Sequence, residues 1–407
     1  MQSEESVEEF LKENLISEVE CLVPDITGNA RGKFIPANKF VKEDSRLPEG
    51  ILAQTVTGEY SDDFWELLGT VDGDMLLEPD PSTMREVPWA NEATVQIIHD
   101  CFTKDGKPHP FSSRNVLKRI LALYEAEGLK PVIAPEVEFY LIEKNIDPDS
   151  ALKPPIGRSG RHETARQSYS IDAANEFEDF VETMYSYGGA MGLDLDTLIH
   201  ESGAAQLEVN FIHGDPLDLA DQVFTFKRLA REAALKHNIY ATFMAKPMAS
   251  EPGSAKHIHQ SVLSLEDGSN IFATADGEYS DAFYHYLGGL QKYTPYMMSF
   301  FAPNVNSYRR FTREVSAPIN LHWGWDNRTT GLRVPDATAK NYRIENRFPG
   351  ADVNPYLSIA ATLACGYLGM KNKIEPSAAF EGNAYEEELV LPRTLEEAVR
   401  GLQEDQD

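Results

Sequence analysis

The chain carries, at Tyr342–Phe348, the stretch Tyr-Arg-Ile-Glu-Asn-Arg-Phe. Side chains alternate between the two faces of a β-strand, so a strand here places Arg343, Glu345 and Arg347 on one face and apolar side chains on the other. Guanidinium groups bind phosphate or carboxylate oxygens through paired hydrogen bonds, and a carboxylate between two of them suits a hard cation. The alternative interpretation is an exposed strand whose charges neutralise one another.

Other stretches repeat this pattern of an apolar back and a polar front. Their front faces carry Glu136 and Glu138; Gln206, Glu208 and Asn210; and His257, His259 and Ser261. Such strands side by side predict a sheet that lines a charged cavity. The spacing between Glu201 and Glu208 does not match a single strand face, so a turn at Gly203 would have to bring Glu201 to the others.

The gathered carboxylates predict a metal site. Holding several in one cleft costs several kcal/mol per ion unless cations neutralise them, and Mg²⁺ and Mn²⁺ prefer carboxylate oxygens with an occasional imidazole. With arginines for phosphate, the pattern indicates metal-assisted phosphoryl transfer. The chain has no GxxxxGK[ST] and no GxGxxG, so neither a P-loop nor a Rossmann turn would hold the nucleotide. The alternative is that each polar face is exposed and the glutamates never meet.

Composition narrows the class of protein. The 407 residues exceed one ordinary core, and the formal charge of −28 argues against nucleic-acid binding by a basic surface while suiting cationic small molecules. Cys21, Cys101 and Cys365 are far apart and predict no disulfide, which fits a cytoplasmic protein. The most apolar stretch, Leu357–Met370, is too short to span a bilayer, so no membrane association is predicted.

The order of predicted elements favours an α+β fold. Asp25–Lys33 is a glycine-punctuated turn between apolar runs, which predicts a hairpin in a small β-rich N-terminal domain. Strands and long helices follow without a strict βαβ rhythm. Lys153–Ser168, rich in Pro, Gly and Arg, is predicted to be a mobile loop with solvated arginines.

Several motifs, in the same order along the chain, resemble those of the glutamine synthetase family over most of residues 106–370. They are Gly253–Ser261, Asn306–Arg310, Asn327–Arg333, Arg343–Pro349 and Asn354–Leu357. The turn Asp25–Lys33 and the form of Glu345–Asp352 resemble one branch of that family, the γ-glutamylpolyamine synthetases of the glutamate–putrescine ligase type.

The resemblance implies an architecture. Residues 1–106 would form a small N-terminal β-grasp domain. Residues 107–407 would form a catalytic domain whose antiparallel sheet makes a two-ended funnel with helices outside. The family also implies a homo-oligomer with active sites between neighbouring subunits.

The resemblance also implies roles for individual residues. Two or three Mg²⁺ or Mn²⁺ would be bound, one by Glu138, Glu201 and Glu208 and a second by Glu136, His257 and Glu345. The residues facing ATP would be His259, Ser261, Arg333 and Arg343. The catalytic arginines, near glutamate or the transferring phosphoryl group, would be Arg310, Arg328 and Arg347. In this reaction the γ-carboxylate of L-glutamate attacks ATP to give γ-glutamyl phosphate, and an amine then displaces phosphate.

Two departures from the ammonia-using members bear on the amine. Where they carry Asp-Gly-Ser-Ser, this chain has Gln54–Tyr60, and Ser316 stands where they carry a glutamate before Ala-Pro. Both replacements remove acidic groups that would hold a small cation, so we expect an organic amine such as a polyamine, with Glu59, Tyr60 and Trp65 as candidate lining residues. The alternatives are a glutamine synthetase that uses ammonia, a non-catalytic member of the family, and a two-metal phosphatase or nuclease.

Overall fold

A computed structural model describes residues 4–40, 42, 45–60, 63–68, 71–145, 147, 149–313 and 317–404. Its helices are α1 (Glu4–Glu13), α2 (Ala37–Phe40), α3 (Phe64–Leu68), α4 (Ser113–Ala126), α5 (Ile171–Asn175), α6 (Glu178–Ala190), α7 (Pro216–Lys236), α8 (Asp281–Phe301), α9 (Pro355–Asn372) and α10 (Leu395–Glu404). Its strands are β1 (Glu18–Pro24), β2 (Ala30–Pro36), β3 (Ser45–Pro48), β4 (Asp74–Pro79), β5 (Arg85–Glu86), β6 (Thr94–Phe102), β7 (Leu129–Glu143), β8 (Leu195–His200), β9 (Gln206–Phe211), β10 (Ile239–Thr242), β11 (Lys256–Ser264), β12 (Trp323–Trp325), β13 (Leu332–Val334) and β14 (Ile344–Asn346).

The first sheet belongs to the N-terminal part of the chain. Its order is β2-β1-β6-β4-β3, with β5 paired to β6, and β1 lies parallel to β6. The predicted hairpin is confirmed, because β1 and β2 pair antiparallel across the turn. Asp25 stabilises that turn by accepting hydrogen bonds from the N–H groups of Thr27 and Asn29, and Gly28 supplies a φ of 81°.

The second, larger sheet has the order β12-β13-β14-β11-β7-β9-β8, with β10 paired to β7. Its described pairs are antiparallel except for β12 with β13. The long strand β7 is central, since β9, β10 and β11 all pair with it. The predicted strand Tyr342–Phe348 is shorter than expected: regular pairing is limited to Ile344–Asn346. The α+β class is confirmed, with a small N-terminal sheet ahead of a large, mainly antiparallel one.

Long helices cover the apolar back of the larger sheet. α7 begins at the N-cap Asp215 with Pro216 in its first turn, and α9 begins in the same way at Asn354 and Pro355. Both helices are largely buried, and their side chains share one core with Phe139 and other back-face residues of the sheet. This packing fixes the sheet and leaves its other face for polar side chains. Within the described ranges, no helix is long and apolar enough to cross a membrane.

Candidate active site

Strand register brings the predicted polar residues together on one face of the large sheet. His257 on β11 lies opposite Glu136 on β7, and Glu138 lies opposite Glu208 on β9. Residues directly opposite in an antiparallel pair have Cβ atoms about 5 Å apart. The carboxylates and the imidazole therefore meet by strand pairing, and the alternative in which the glutamates stay apart is excluded.

The same register extends to the stretch that carries Glu345. Glu345 on β14 lies opposite His259 on one side and Arg333 on the other. Its carboxylate accepts hydrogen bonds from Arg333 Nη1 at 2.7 Å and from Arg347 Nη1 at 2.6 Å. The side chain of Glu345 is 1% exposed, so this strand face is an interior site and not a solvated edge.

Ligand atoms converge in two groups. Glu136, His257 and Glu345 offer atoms within 4.8 Å of one another, and so do Glu138, Glu208 and His257. The first group coincides with one predicted ligand set. The second contains His257 where the prediction has Glu201.

Glu201 reaches the cluster through the predicted turn. It follows β8, and the turn that ends at Gln206 reverses the chain into β9 with Ala205 at a φ of 58°. Glu201 lies close enough to Glu138 for its charge to raise the pKa of Glu138. The turn therefore carries Glu201 to the edge of the cluster.

Electrostatics divide the carboxylates into two kinds. Burial raises the pKa of Glu138 to about 8, and burial with the charge of Glu136 raises the pKa of Glu208 well above its usual value. Burial alone would also raise the pKa of Glu136, but hydrogen bonds from His257 and His259 lower it far below the usual range. Burial opposes ionisation of Glu345 too, and the Arg347 charge lowers its pKa to about 2. Two carboxylates are thus held ionised, and the others need further positive charge.

The residues present fit a divalent cation. His257 Nε2 is buried and has no hydrogen-bond partner among the described residues. Burial and the Arg347 charge lower the pKa of His257, which favours the neutral imidazole that binds metals. A hard cation beside this nitrogen would give it a partner and would supply the positive charge that keeps Glu138 and Glu208 ionised.

The residues predicted to face ATP lie beside Glu345 and Glu136. His259 Nε2 pairs with Glu136 Oε1 at 2.9 Å, while Arg343 Nε donates to His259 Nδ1 at 3.2 Å. Arg333 lies between Glu345 and Asp326, whose Oδ1 is 2.6 Å from Arg333 Nη2. Ser261 lies two residues beyond His259 on the same strand.

The arginines predicted to be catalytic occupy different surroundings. Arg310 is buried and donates to the carbonyl oxygens of Phe348 at 2.8 Å and Arg347 at 3.0 Å, so it braces the end of the β14 segment. Arg347 Nε is buried and without a partner among the described residues, which leaves one donor of this guanidinium unsatisfied. Arg328 is exposed in the turn after β12, and its charge acts on Tyr169.

Supporting residues emerge that pattern reasoning did not assign. Gln206 Nε2 donates to Glu138 Oε2 at 3.2 Å and to the Gly253 carbonyl at 3.1 Å. Strand alternation had placed Gln206 on the polar face, which was the available signal. No comparable signal marked Glu163, because it lies in the loop predicted to be mobile and yet its side chain is 5% exposed and bonded.

The region predicted to meet the amine is described only in part. Gln54 and Tyr60 form a bridge that closes the short turn between them, and Tyr60 packs against Phe64 at 4.5 Å between ring centroids. Ser316 and the side chain of Trp65 lie outside the described residues.

Comparison with known proteins places the chain among related enzymes. Residues 110–407 match the family described as "Glutamine synthetase, catalytic domain". The chain is 35% identical over 398 residues to a glutamine synthetase of Pyrococcus horikoshii, covering 95% of this chain and 84% of that protein. It is 34% identical over 375 residues to gamma-glutamylputrescine synthetase PuuA of Escherichia coli, covering 91% of this chain and 79% of PuuA.

Two further similarities extend to an amine ligase and to a solved structure. A glutamate–isopropylamine ligase of a Pseudomonas species is 34% identical over 400 residues, covering 96% of this chain and 85% of that enzyme. A complex of GmaS with ADP superposes with a TM-score of 0.85 at 28% identity, covering 100% of this chain and 91% of GmaS. The family match, the long relatives and the shared fold agree with the site geometry, and the chain belongs to the glutamine synthetase family of ligases.

Proposed function

We propose that this protein is an ATP-dependent ligase that joins the γ-carboxyl of L-glutamate to an organic amine through γ-glutamyl phosphate. The observation that carries the phosphoryl-transfer part is the register of β14, β11, β7 and β9, which puts carboxylates, imidazoles and arginines on one buried face. Such a face suits a reaction in which catalysis consists of positioning and charge stabilisation.

The proposed metal sites use the two converging groups. Glu136, His257 and Glu345 would hold one Mg²⁺ or Mn²⁺, and Glu138 and Glu208, with Glu201 at their edge, would hold another. When bound, these ions would neutralise phosphate oxygens and polarise the transferring group. Gln206 and the Ala255 N–H, which both bond Glu138 Oε2, would keep its other oxygen directed at the ion.

The other polar residues of the site would bind the two substrates. Ser261, His259, Arg343 and Arg333 would orient ATP at one end of the strand face. Arg347, with its unpartnered Nε, would donate to glutamate or the transferring phosphoryl group. Arg328 would close the site from its exposed turn, while Arg310 would act by holding the Arg347 and Phe348 carbonyls.

An organic amine is favoured over ammonia by what this chain lacks. Gln54–Tyr60 and Ser316 replace acidic groups that would bind and deprotonate ammonium. PuuA and the glutamate–isopropylamine ligase carry amines in their names and match as well as the archaeal glutamine synthetases do. A homo-oligomer in which the N-terminal domain, residues 1–106, completes a neighbour's site on residues 107–407 would bring Gln54–Tyr60 to the amine.

Phosphate release tests the proposal. With ATP, Mg²⁺ and L-glutamate present, we expect release to depend on an added amine, and kcat/KM for putrescine or isopropylamine to exceed that for ammonia by at least about tenfold. Equal or better use of ammonia would assign the protein as a glutamine synthetase. Release without any amine would indicate water as acceptor.

A variant of Glu345 tests the proposed metal sites. Glu345→Ala removes a ligand and the partner of two arginines, so we expect Mn²⁺ affinity and activity to fall by more than the about 10- to 100-fold that loss of an outer-shell partner costs. Glu375→Ala removes an exposed carboxylate paired with His285 and serves as the control. Activity with unchanged metal dependence in Glu345→Ala would contradict the assignment of this strand.

A further inference from the structure

The turn between β8 and β9 that carries Glu201 has an unusual set of supports. Its strands pair, and the Glu201 N–H donates to the Gln206 carbonyl at 2.8 Å, which closes the turn. Ala205 adopts a φ of 58° without being glycine. A side chain in this conformation costs about 1 kcal/mol or more, so other contacts must hold the turn in place.

One support is Glu163, from the loop between β7 and α5. Its Oε2 accepts the Ala205 N–H at 2.7 Å and lies 3.0 Å from His200 Nε2. His200 Nδ1 in turn lies 2.8 Å from the Glu201 carbonyl oxygen. Glu163 therefore holds the turn directly, by binding the main-chain N–H of Ala205. It also holds the turn indirectly through His200, the residue that precedes Glu201.

A second support comes from another segment. Glu251 Oε2 accepts the Ala204 N–H at 3.0 Å, and Gln206 Oε1 accepts the Gly203 N–H at 2.9 Å. Three successive main-chain N–H groups thus each meet a side-chain oxygen, and two of those oxygens belong to carboxylates distant in sequence. Successive N–H groups of a turn form a concavity that favours anions.

Ala204 and Ala205 are buried, yet the turn also borders an open space. A cavity of about 570 Å³ lies there, and its lining includes Glu163, Ala204 and Glu251 as well as Leu152 and Met248. Beside that space, the two carboxylates accept the N–H groups of residues 204 and 205, while the Leu141 N–H on β7 donates to the Ala205 carbonyl at 2.9 Å.

We infer that Glu163 and Glu251 are positioning residues that clamp the Glu201 turn and so set where the Glu201 carboxylate lies relative to Glu138 and Glu208. This inference rests on the proposed metal-binding role of Glu201. Neither clamp residue belongs to the converging ligand groups. Loss of a residue that orients a metal ligand typically weakens metal binding by about 10- to 100-fold.

Mn²⁺ binding to the full chain, followed by electron paramagnetic resonance without substrates, tests the clamp. We expect Glu163→Ala and Glu251→Ala to weaken one class of Mn²⁺ sites by about tenfold or more. The class held by Glu136, His257 and Glu345 should lose less affinity, because the hydrogen bonds from the turn to Glu163 and Glu251 do not involve those residues. Glu163→Gln retains an acceptor oxygen and should restore much of the affinity.

The matched control is Glu49→Ala, which removes a carboxylate 3.2 Å from the buried His109. Neither residue belongs to the large sheet that carries the proposed metal ligands. It should lower the unfolding temperature without changing Mn²⁺ affinity. Unchanged affinity in Glu163→Ala and Glu251→Ala would overturn the clamp. If Glu163→Ala does not fold, Glu251→Ala alone decides by the same criterion. A wild-type chain that binds no Mn²⁺ would overturn the proposed metal sites and the clamp together.

Discussion

Glu345 shows how one side chain organises its neighbours at the scale of a residue. Its two oxygens accept from different arginines, Arg333 and Arg347, and it faces His259 across the strand pair. A buried carboxylate is costly unless it is paired and hydrogen-bonded, and here the arginines supply both. The same hydrogen bonds fix the orientation of the Arg333 and Arg347 guanidinium groups. One residue thereby sets both the charge of the site and the direction of its anion-binding groups.

His99, away from the site, should make stability depend on pH. It is fully buried on β6, with Nδ1 3.1 Å from the Ile97 carbonyl oxygen and Nε2 without a partner among the described residues. Burial lowers the pKa of His99 to about 4, against about 6.5 in an unfolded chain. Between these values the unfolded chain binds a proton that the folded chain does not, so stability falls as the pH falls from 6.5 to 4.

Protonation linked to His99 should lower the free energy of unfolding by on the order of 3 kcal/mol in total, of which about 2 kcal/mol is already lost at pH 5. We therefore expect His99→Leu to lose less unfolding free energy than the wild type between pH 7.5 and pH 5, as measured by urea titration. His285→Leu, at a histidine paired with exposed Glu375, is the control. An equal loss in wild type and His99→Leu would show that His99 does not contribute.

At the scale of an element, the start of α9 combines two functions in one side chain. Asn354 Oδ1 accepts the N–H groups of Tyr356 and Leu357, and its Nδ2 donates to the Asp25 carbonyl at 2.9 Å. The helix cap is therefore also a contact between the N-terminal hairpin and the larger sheet's helices. We expect Asn354→Ala to lower the free energy of unfolding by about 2 kcal/mol, at the upper end of the range for the loss of an N-cap.

The control for Asn354→Ala is Asp215→Ala at the start of α7. Asp215 caps its helix through Leu217 and Asp218, and those hydrogen bonds are exposed. That change should cost about 1 kcal/mol by chemical denaturation. Equal costs for the two variants would mean that the contact with Asp25 adds nothing to the cap.

Elements also mark how far the sequence could predict this structure. The period of two placed Glu136, Glu138 and His257 on polar faces correctly, because alternation is a property of each strand by itself. Register belongs to pairs of strands, so the meeting of Glu138 with Glu208 could not be predicted from pattern alone. The support of Glu201 was equally inaccessible, since Glu163 and Glu251 come from irregular segments without any periodicity.

At the scale of the whole molecule, Arg114 joins the first sheet to helix α7, which packs against the larger sheet. It lies in the first turn of α4, and its guanidinium pairs with Asp80 just after β4, with Asp100 on β6 and with Asp221 on α7, at 2.6, 2.6 and 2.9 Å. Tyr356 on α9 donates to the same Asp221 at 2.6 Å. The boundary predicted near residue 106 thus lies just before a buried cation that the N-terminal region and the larger unit share.

Removing that cation should destabilise both parts of the molecule at once. Arg114→Met would leave three aspartates without their common partner, and breaking a buried ion pair on one side costs about 3–5 kcal/mol. Lys118→Met removes only a half-exposed partner of Asp100 and should cost less than about 1 kcal/mol.

Urea unfolding, followed by both tryptophan fluorescence and circular dichroism, measures the two losses of unfolding free energy. We expect one shared transition that shifts far more in Arg114→Met, because Asp80, Asp100 and Asp221 lie on both sides of the junction. Two separate transitions in the wild type would show instead that the two sheets unfold independently. Equal shifts in the two variants would show that the buried Arg114 contact contributes no more to stability than Lys118 does.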